Sequence, residues 1–519
     1  MLFGVAYTQA PLYYSNQNQY FLHGLAQGGR GFLADDWLAN TPDPTPVFSF
    51  VVALTCRFLN ETFFYVYYLG ILGIYAGSLL GLFDLLYPGR PISVRLTFAV
   101  GLVLLHSGLL RLLSGRLFDV DYPWYFQAGV AGQYLLGPVL QPSTFGVLLL
   151  LSVALFVADR PSAAAISAAL AAVGHSTYLP SAGILVFAYL CVLIYERRGD
   201  EAFRAGALAA LLVAPVITYN VAYFAPTSAA TFAEAQTILV HFRIPHHCLV
   251  SRWLDGIAAA QIAWVLLGIY LVRGSRLFPI MLICALAAVV LSVVQVATGN
   301  GGLALLFPWR PSVFLVPIAT AIILGRVVVA LAGPLERLEG RAPAAVAGLL
   351  LATLVGLAAS GLLINWWGLG YQMSSDESGV MAYVEGHKAK GDLYLLPVDL
   401  PLSPARPGAS MSDFKALGQR KRGRGLIPIE LQGFRLKTGA PIFVDFKAIP
   451  YRDVDVLEWH RRLQANLRVY ESAAGDALPE LRAAYPVTHV LVPAAHPLRL
   501  SGASVPYEDQ YYRLYRLAP

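Results

Sequence analysis

Between Gly31 and Pro46 the chain reads GFLADDWLANTPDPTP, three aspartates and three prolines in sixteen residues. Adjacent Asp35 and Asp36 could serve as a general base, because one carboxylate raises the proton affinity of the other, or could share a divalent cation such as Mg2+ or Mn2+. The competing reading of the pair is a helix cap or a solvated turn. Asp43, inside PDPTP, reads as a turn residue or cap before a helix that starts near Pro46. A second acidic turn, LFDVDYPW, carries Asp119 and Asp121 at one-residue spacing, as a metal-ligand candidate or a surface turn.

Cationic groups recur in the same style. HFRIPHHCLVSRW holds His241, Arg243, His246, His247 and Arg252 beside an apolar boundary. Arg243 is the best phosphate ligand of these, since a guanidinium stays charged and binds oxyanions bidentately. The adjacent His246 and His247 lack the i, i+4 spacing of a helical zinc site. Arg310, in FPWRPS, opens an apolar run and could face a lipid phosphate or snorkel. His23 in FLHGLA and His175 in GHSTYL are costly to bury, so each is a candidate for a polar cavity or a helix-to-helix hydrogen bond. In FRLKTGAPIFVDFKAIP, Arg435, Asp445 and Lys447 are candidates for acceptor recognition; a strand here would put Asp445 and Lys447 on one face, where an ion pair is the plainer reading.

Residues so sparse must be positioned by an apolar scaffold. Of 519 residues 57% are hydrophobic and 13% charged, which excludes an ordinary soluble domain and marks a polytopic membrane protein. The excess of 37 Lys and Arg over 31 Asp and Glu sits largely in short loops and leaves no nucleic-acid footprint. Four scattered cysteines imply no disulfide framework and no metal spacing. About ten spans are expected, near 61–83, 95–113, 143–158, 162–177, 180–195, 205–223, 257–272, 277–297, 311–332 and 344–364. The opening MLFGVAYTQ is apolar but too short to span, and reads as the end of a helix that starts upstream.

Arg90, Arg95, Arg160, Arg197, Arg198, Arg204, Arg273, Arg276, Arg326, Arg337 and Arg341 fall in alternate loops, which the positive-inside rule assigns to the cytoplasm. The long connections then share the other face, and a site is expected there. Gln17–Ala26 reads as an interfacial helix, and the Gly-rich YFQAGVAGQYLLGPVL as a segment that dips without spanning. From residue 371 the composition changes, and every lysine follows Lys388. The expected organisation is an acidic loop with interfacial helices over 1–60, a transmembrane domain over 61–364, and an extracytoplasmic α/β domain over 371–519. In the last, GDLYLLPV, APIFVDFKAIP, THVLVPA and YYRLYRL read as strands, DVDVLEWHRRLQANLRVY as a helix capped by Asp453, and 401–425 as a basic loop.

This layout resembles the GT-C class of integral-membrane glycosyltransferases: acids in the first outer loop, some ten or eleven membrane helices, His and Arg in outer loops, and an outward C-terminal domain. YYSNQNQYFLHGLA, DDWLANTPDPTPVFS, GHSTYL and FRLKTGAPIFVDFKAIPYRDVDVLEW more closely resemble an uncharacterised group of bacterial polytopic proteins. The GT-C resemblance implies a polyprenyl-phosphate-linked sugar donor, transfer to an acceptor hydroxyl at the extracytoplasmic face of the bacterial inner membrane, and Asp36 as base or metal ligand with Asp35 as its partner. Arg243, His241, His246 and Arg310 would then face the donor phosphate. The acids here are adjacent, whereas many members of the class separate them by one residue. Rival classes are an assembly protein, which needs none of these acids, and a transporter, which calls for repeated halves and ionisable groups at mid-membrane.

Overall fold

The computed structural model describes residues 1–337, 342–369, 376–398, 431, 433–471 and 474–518. The expected basic loop over 401–425 lies outside the described residues. Two compact units emerge: Met1–Ala10, Phe64–Tyr219 and His246–Tyr371 form the first, and Pro11–Phe63, Asn220–Pro245 and Gln372–Pro519 the second.

The chain is a helical membrane protein. Among the described residues, six helices are long and apolar enough to cross a bilayer: Phe63–Leu86, Ser176–Tyr195, Gly199–Phe224, Leu277–Thr298, Ser312–Ala330 and Ala342–Trp366. Ile92–His106 and Gly108–Phe118 make a seventh if the bend of 49° between them is crossed as one span. Ser107 makes that bend with extended backbone and a hydroxyl that accepts from Leu110 N, capping the second helix. Ten spans were expected, and the difference lies in the short helices Pro142–Val157, Pro161–Gly174 and Gly256–Leu271. At 1.5 Å per residue, the 14 residues of Pro161–Gly174 rise about 21 Å, short of a hydrocarbon core of about 30 Å.

Small residues set the packing of the first unit. Pro161–Gly174, rich in alanine, lies against Val147–Val157, and Ser152 and Ser167 donate across to the carbonyls of Ala164 and Leu148 at 2.7 and 2.8 Å. Leu2–Tyr7 packs on Ala342–Trp366 at Gly361, where a Cβ would lie 2.2 Å from the Val5 carbonyl oxygen. Around the short turns at Asp159, Glu196 and Arg276, the guanidinia of Arg198 and Arg276 join Asp159 and Glu196, so these three turns meet at one end of the bundle.

Residues 126–141 are largely buried in this unit, with no regular structure beyond the 3-10 turn Val130–Gly132 and the bridge Ala128 to Tyr134. Such backbone survives only where other groups take its hydrogen bonds. Gln261 Nε2 donates to Ala128 O at 2.7 Å, Thr320 Oγ1 to Phe126 O at 2.8 Å, Tyr7 Oη to Leu136 O at 3.0 Å, and Val130 N to Ser312 Oγ at 3.1 Å. Tyr68 Oη bonds Gly137 O as well. This is the segment expected to dip without spanning.

The second unit holds a four-stranded sheet among the described residues. Its strands are β1 (Tyr394–Leu395), β2 (His489–Pro493), β3 (Ser504–Glu508) and β4 (Tyr512–Arg516), in the order β1-β2-β4-β3. β1 runs parallel to β2 in register Tyr394 with His489, and the other pairs are antiparallel. Helix Asp453–Glu471 covers the sheet, burying Val456, Trp459 and Leu463, and its Tyr470 Oη donates toward Leu395 O and Leu491 O at 3.0 and 2.9 Å. Asp453, expected as the cap, is the first residue of the helix; its carboxylate accepts from the adjacent Val454 N and from Thr227 N and Oγ1 at 2.7 Å each. Residues 11–63 and 220–245 therefore share the unit of the C-terminal sheet. Short helices Gln17–Tyr20 and Leu22–Gln27 occupy the stretch read as one interfacial helix.

Candidate functional site

The acidic loop is tied to the C-terminal segment by backbone before any side chain acts. Gly31 and Gly439 both have positive φ and meet back to back; a Cβ on Gly31 would lie 2.4 Å from Gly439 O, and Phe32 N donates to that oxygen at 2.8 Å. Arg30 adds a bond from Nη2 to Lys437 O at 3.1 Å and one from Nη1 to Glu61 at 3.0 Å.

The two adjacent acids then separate in role. Asp35 ends a 3-10 turn, Leu33–Asp35, and is exposed; among the described residues its carboxylate makes no hydrogen bond or ion pair. Asp36 is 0% exposed. Its Oδ1 accepts from Leu38 N at 2.9 Å, and its Oδ2 accepts from Ile442 N at 3.1 Å and lies 2.9 Å from Arg435 Nε. Asp36 is thus a cross-link over four hundred residues of chain, sealed from an acceptor and from a bound cation alike. The expectation that the pair shares a metal meets a donor set that does not fit one: the oxygens of Asp36 are filled by N–H donors, and no three His, Cys, Asp or Glu residues cluster to hold an ion among the described residues.

Arg435, 2% exposed, stands between two carboxylates, with Nη1 3.4 Å from Asp445 Oδ2. Its Nε and Nη1 hydrogens do not point along these contacts, so both are charge contacts with unspent donor capacity. Asp445 also accepts from Ala448 N at 2.5 Å, and its backbone oxygen accepts from Trp459 Nε1 at 2.9 Å. The stretch 441–449 was read as a strand with Asp445 and Lys447 on one face. It is instead irregular, touching β1 through the single bridge Tyr394 to Ile442, because its amides go to Asp36, Asp445 and the Tyr394 carbonyl.

Arg243 reaches the same place from Ile238–Arg243, a π-helical turn, a rare form that often marks functional positions. The turn is held by Phe242, whose ring packs on Phe446 and Trp459. Arg243 Nη2 donates to Lys447 O at 2.6 Å, its guanidinium lies 4.8 Å from the Phe446 ring centre, and its buried Nε finds no acceptor among the described residues. Lys447 Nζ makes no hydrogen bond or ion pair among the described residues. Burial first, then the Arg243 charge, pushes the Lys447 ammonium down to about 8, and the part of the side chain left in water moderates that shift. Burial likewise raises Asp445 and lowers Arg243 from their ordinary values, against Arg435 in the first case and Tyr451 and Asp445 in the second. Three cations and two carboxylates, drawn from three distant stretches of chain, form one buried cluster.

The other candidates have partners of their own or face solvent. His241 is exposed in the second unit, while His246 belongs to the first, its ring centre 4.0 Å from that of His247. His23 Nε2 is 3.0 Å from Thr41 O and its Nδ1 4.0 Å from Asp43, and Asp43 accepts from Thr45 N, a turn ahead of helix Pro46–Phe58. His175 is buried in the first unit, edge-on to Tyr178. Asp119 is an exposed left-handed C-cap, and Asp121 pairs with Arg111 at 2.8 Å and accepts from Trp124 N. Of the two acids in that second turn, Asp121 holds local structure. Arg310 bonds Gln133 Oε1 from Nε at 3.3 Å and bonds Thr177 Oγ1 from Nη1. Gln133, Gln141, Trp253 and Trp309, which sequence reasoning passed over, lie buried in that same unit; glutamines inside apolar runs were the signal.

Residues 424–466 are similar to a family described as a domain of unknown function (DUF6798), a match that takes in Arg435, Asp445, Lys447 and the start of helix Asp453–Glu471. No curated protein matches the chain.

Proposed function

We propose that the chain is a GT-C-type membrane glycosyltransferase that moves a sugar from a polyprenyl-phosphate-linked donor to an acceptor hydroxyl at the extracytoplasmic face of a bacterial inner membrane. The observation that carries this reading is the cluster in the second unit. Arg243, Arg435 and Lys447 exceed Asp36 and Asp445 by one positive charge, and among the described residues Arg243 Nε and Arg435 Nε and Nη1 have donor capacity unspent. Such a cluster suits a phosphate leaving with an electron pair.

In this reading Asp36 positions and Asp35 reacts. Anchored by Asp36, the Leu33–Asp35 turn holds the exposed Asp35 carboxylate as general base. It takes the proton of the acceptor hydroxyl as that oxygen attacks the anomeric carbon; the bond to the donor phosphate oxygen breaks, and Arg243 and Lys447 neutralise the phosphate. No step is routed through a metal. The test is the KM for a polyprenyl-phosphate sugar. Lys447→Met should raise it about tenfold while Lys447→Arg keeps it within a few-fold. Equal KM values for all three proteins would remove Lys447 from phosphate recognition.

A further inference from the structure

The first unit contains polar groups that none of the chemistry above uses. Among the described residues, Trp253 Nε1, Trp309 Nε1 and Gln133 Nε2 are buried N–H donors without an acceptor, on residues 9%, 2% and 6% exposed. An orphaned N–H in an apolar interior is costly, so three in one neighbourhood call for an explanation.

They do share a neighbourhood. The Trp253 and Trp309 ring centres are 5.0 Å apart. Trp309 precedes Arg310, whose Nε is bonded to Gln133 Oε1, so the Gln133 amide turns its NH2 away from the guanidinium. Helix Val250–Trp253 packs on the 130–132 turn, where His247 Nδ1 lies 2.6 Å from Ala131 O, and Val130 N bonds Ser312 Oγ at the start of helix Ser312–Ala330. Arg310 and the amino end of that helix, which is 19 residues long, both favour negative charge. Trp253, Trp309 and Gln133 each offer a donor here, with positive charge behind them. A neutral ligand would need acceptors as well, whereas an oxyanion uses donors alone.

We infer that the neighbourhood of Arg310, Gln133, Trp253 and Trp309 binds the phosphate group of a lipid, with the phosphate oxygens accepting from the indole and amide N–H groups. The ligand is taken to be a lipid because the site belongs to the membrane-spanning unit and two indoles flank it, side chains that favour the headgroup level of a bilayer. This goes beyond the transfer reading and holds whether or not the chain moves a sugar. Two lipids carry the required chemistry: a membrane phospholipid such as phosphatidylglycerol, and a polyprenyl phosphate.

The experiment is native mass spectrometry of the purified full chain in detergent, titrated separately with phosphatidylglycerol, polyprenyl phosphate and uncharged diacylglycerol. At least one phosphate lipid should bind about tenfold tighter than diacylglycerol, and the tighter of the two identifies the source. Trp309→Phe removes one N–H and keeps the ring, so it should weaken that binding several-fold with an unchanged melting temperature. Arg310→Gln should weaken it further, and Trp309→Phe decides the matter if Arg310→Gln fails to fold. Diacylglycerol binding as tightly as both phosphate lipids, or Trp309→Phe binding as wild type does, would overturn the inference.

Discussion

Replacing Asp36 with Asn tests whether this acid is structural. The carboxylate is sealed from water, touches Arg435, and accepts from two backbone amides. Asparagine keeps one acceptor oxygen and sets an NH2 against the other donor. Removing one partner of a buried ion pair costs about 3–5 kcal/mol, and an amide left facing a donor adds to this. Hydrogen exchange is the suitable readout, because membrane proteins commonly unfold irreversibly in detergent. Peptides covering 36–40 and 441–449 contain the Leu38 and Ile442 amides. At 1.4 kcal/mol per tenfold, they should exchange about a hundred- to a thousandfold faster in the variant. Asp36→Leu combined with Arg435→Met should be less damaging than the sum of the two single changes by about 2 kcal/mol, since an apolar pair replaces an ionic one at little net cost. Wild-type exchange in Asp36→Asn, or additivity in the double variant, would refute the cross-link. Lost activity in Asp36→Asn is then no sign of catalysis.

Lys447 should make stability depend on pH in a defined window. Its folded value of about 8 lies below the ordinary 10.5, so the unfolded chain binds more protons between these values. Its penalty is absent above about 10.5 and imposed in full below about 8; wild-type stability relative to Lys447→Met should therefore rise across that interval, by no more than about 3 kcal/mol. A pH-independent difference in exchange protection would contradict it. Gly31→Ala places a Cβ against the Gly439 carbonyl at positive φ, and should speed proteolysis of the acidic loop through a loss of about 2 kcal/mol or more; an unchanged cleavage rate would count against the glycine contact. Thr227→Val removes a hydroxyl bond to Asp453 and leaves that carboxylate partly unserved, so helix Asp453–Glu471 should lose about 1–2 kcal/mol of protection, read by exchange near 453–457.

Runs such as FFYVYYLGILGIYAGSLLGLF announce a spanning helix because nothing but lipid or protein accepts them, and the helix from Asp453 was legible from its acid and its apolar spacing. β1, β2 and β4 likewise lie within stretches that read as strands. β3 was not legible: SVPYE contains a proline, and its residues are largely exposed. The misreading of 441–449 has a physical cause. Apolar alternation reports burial, and here the buried segment spends its amides on carboxylates from elsewhere, which no local pattern encodes. The same reason hid the cluster. Asp36 and Arg435 were each visible as candidates, but their contact across the chain depends on two glycines of positive φ meeting back to back. The division of labour between Asp35 and Asp36 follows from that contact and has no signature in the dipeptide.

The most direct test of the transfer reading is to compare wild type with Asp35→Asn in transferring labelled sugar from polyprenyl-phosphate sugars, using purified protein with and without chelator. Asp35 is exposed and its carboxylate makes no hydrogen bond or ion pair among the described residues, so its variant should melt as wild type does. It should lose transfer by at least about a hundredfold, and chelator should leave wild-type transfer intact. Transfer undiminished in Asp35→Asn, or absent from folded wild-type protein with every donor, would contradict the assignment.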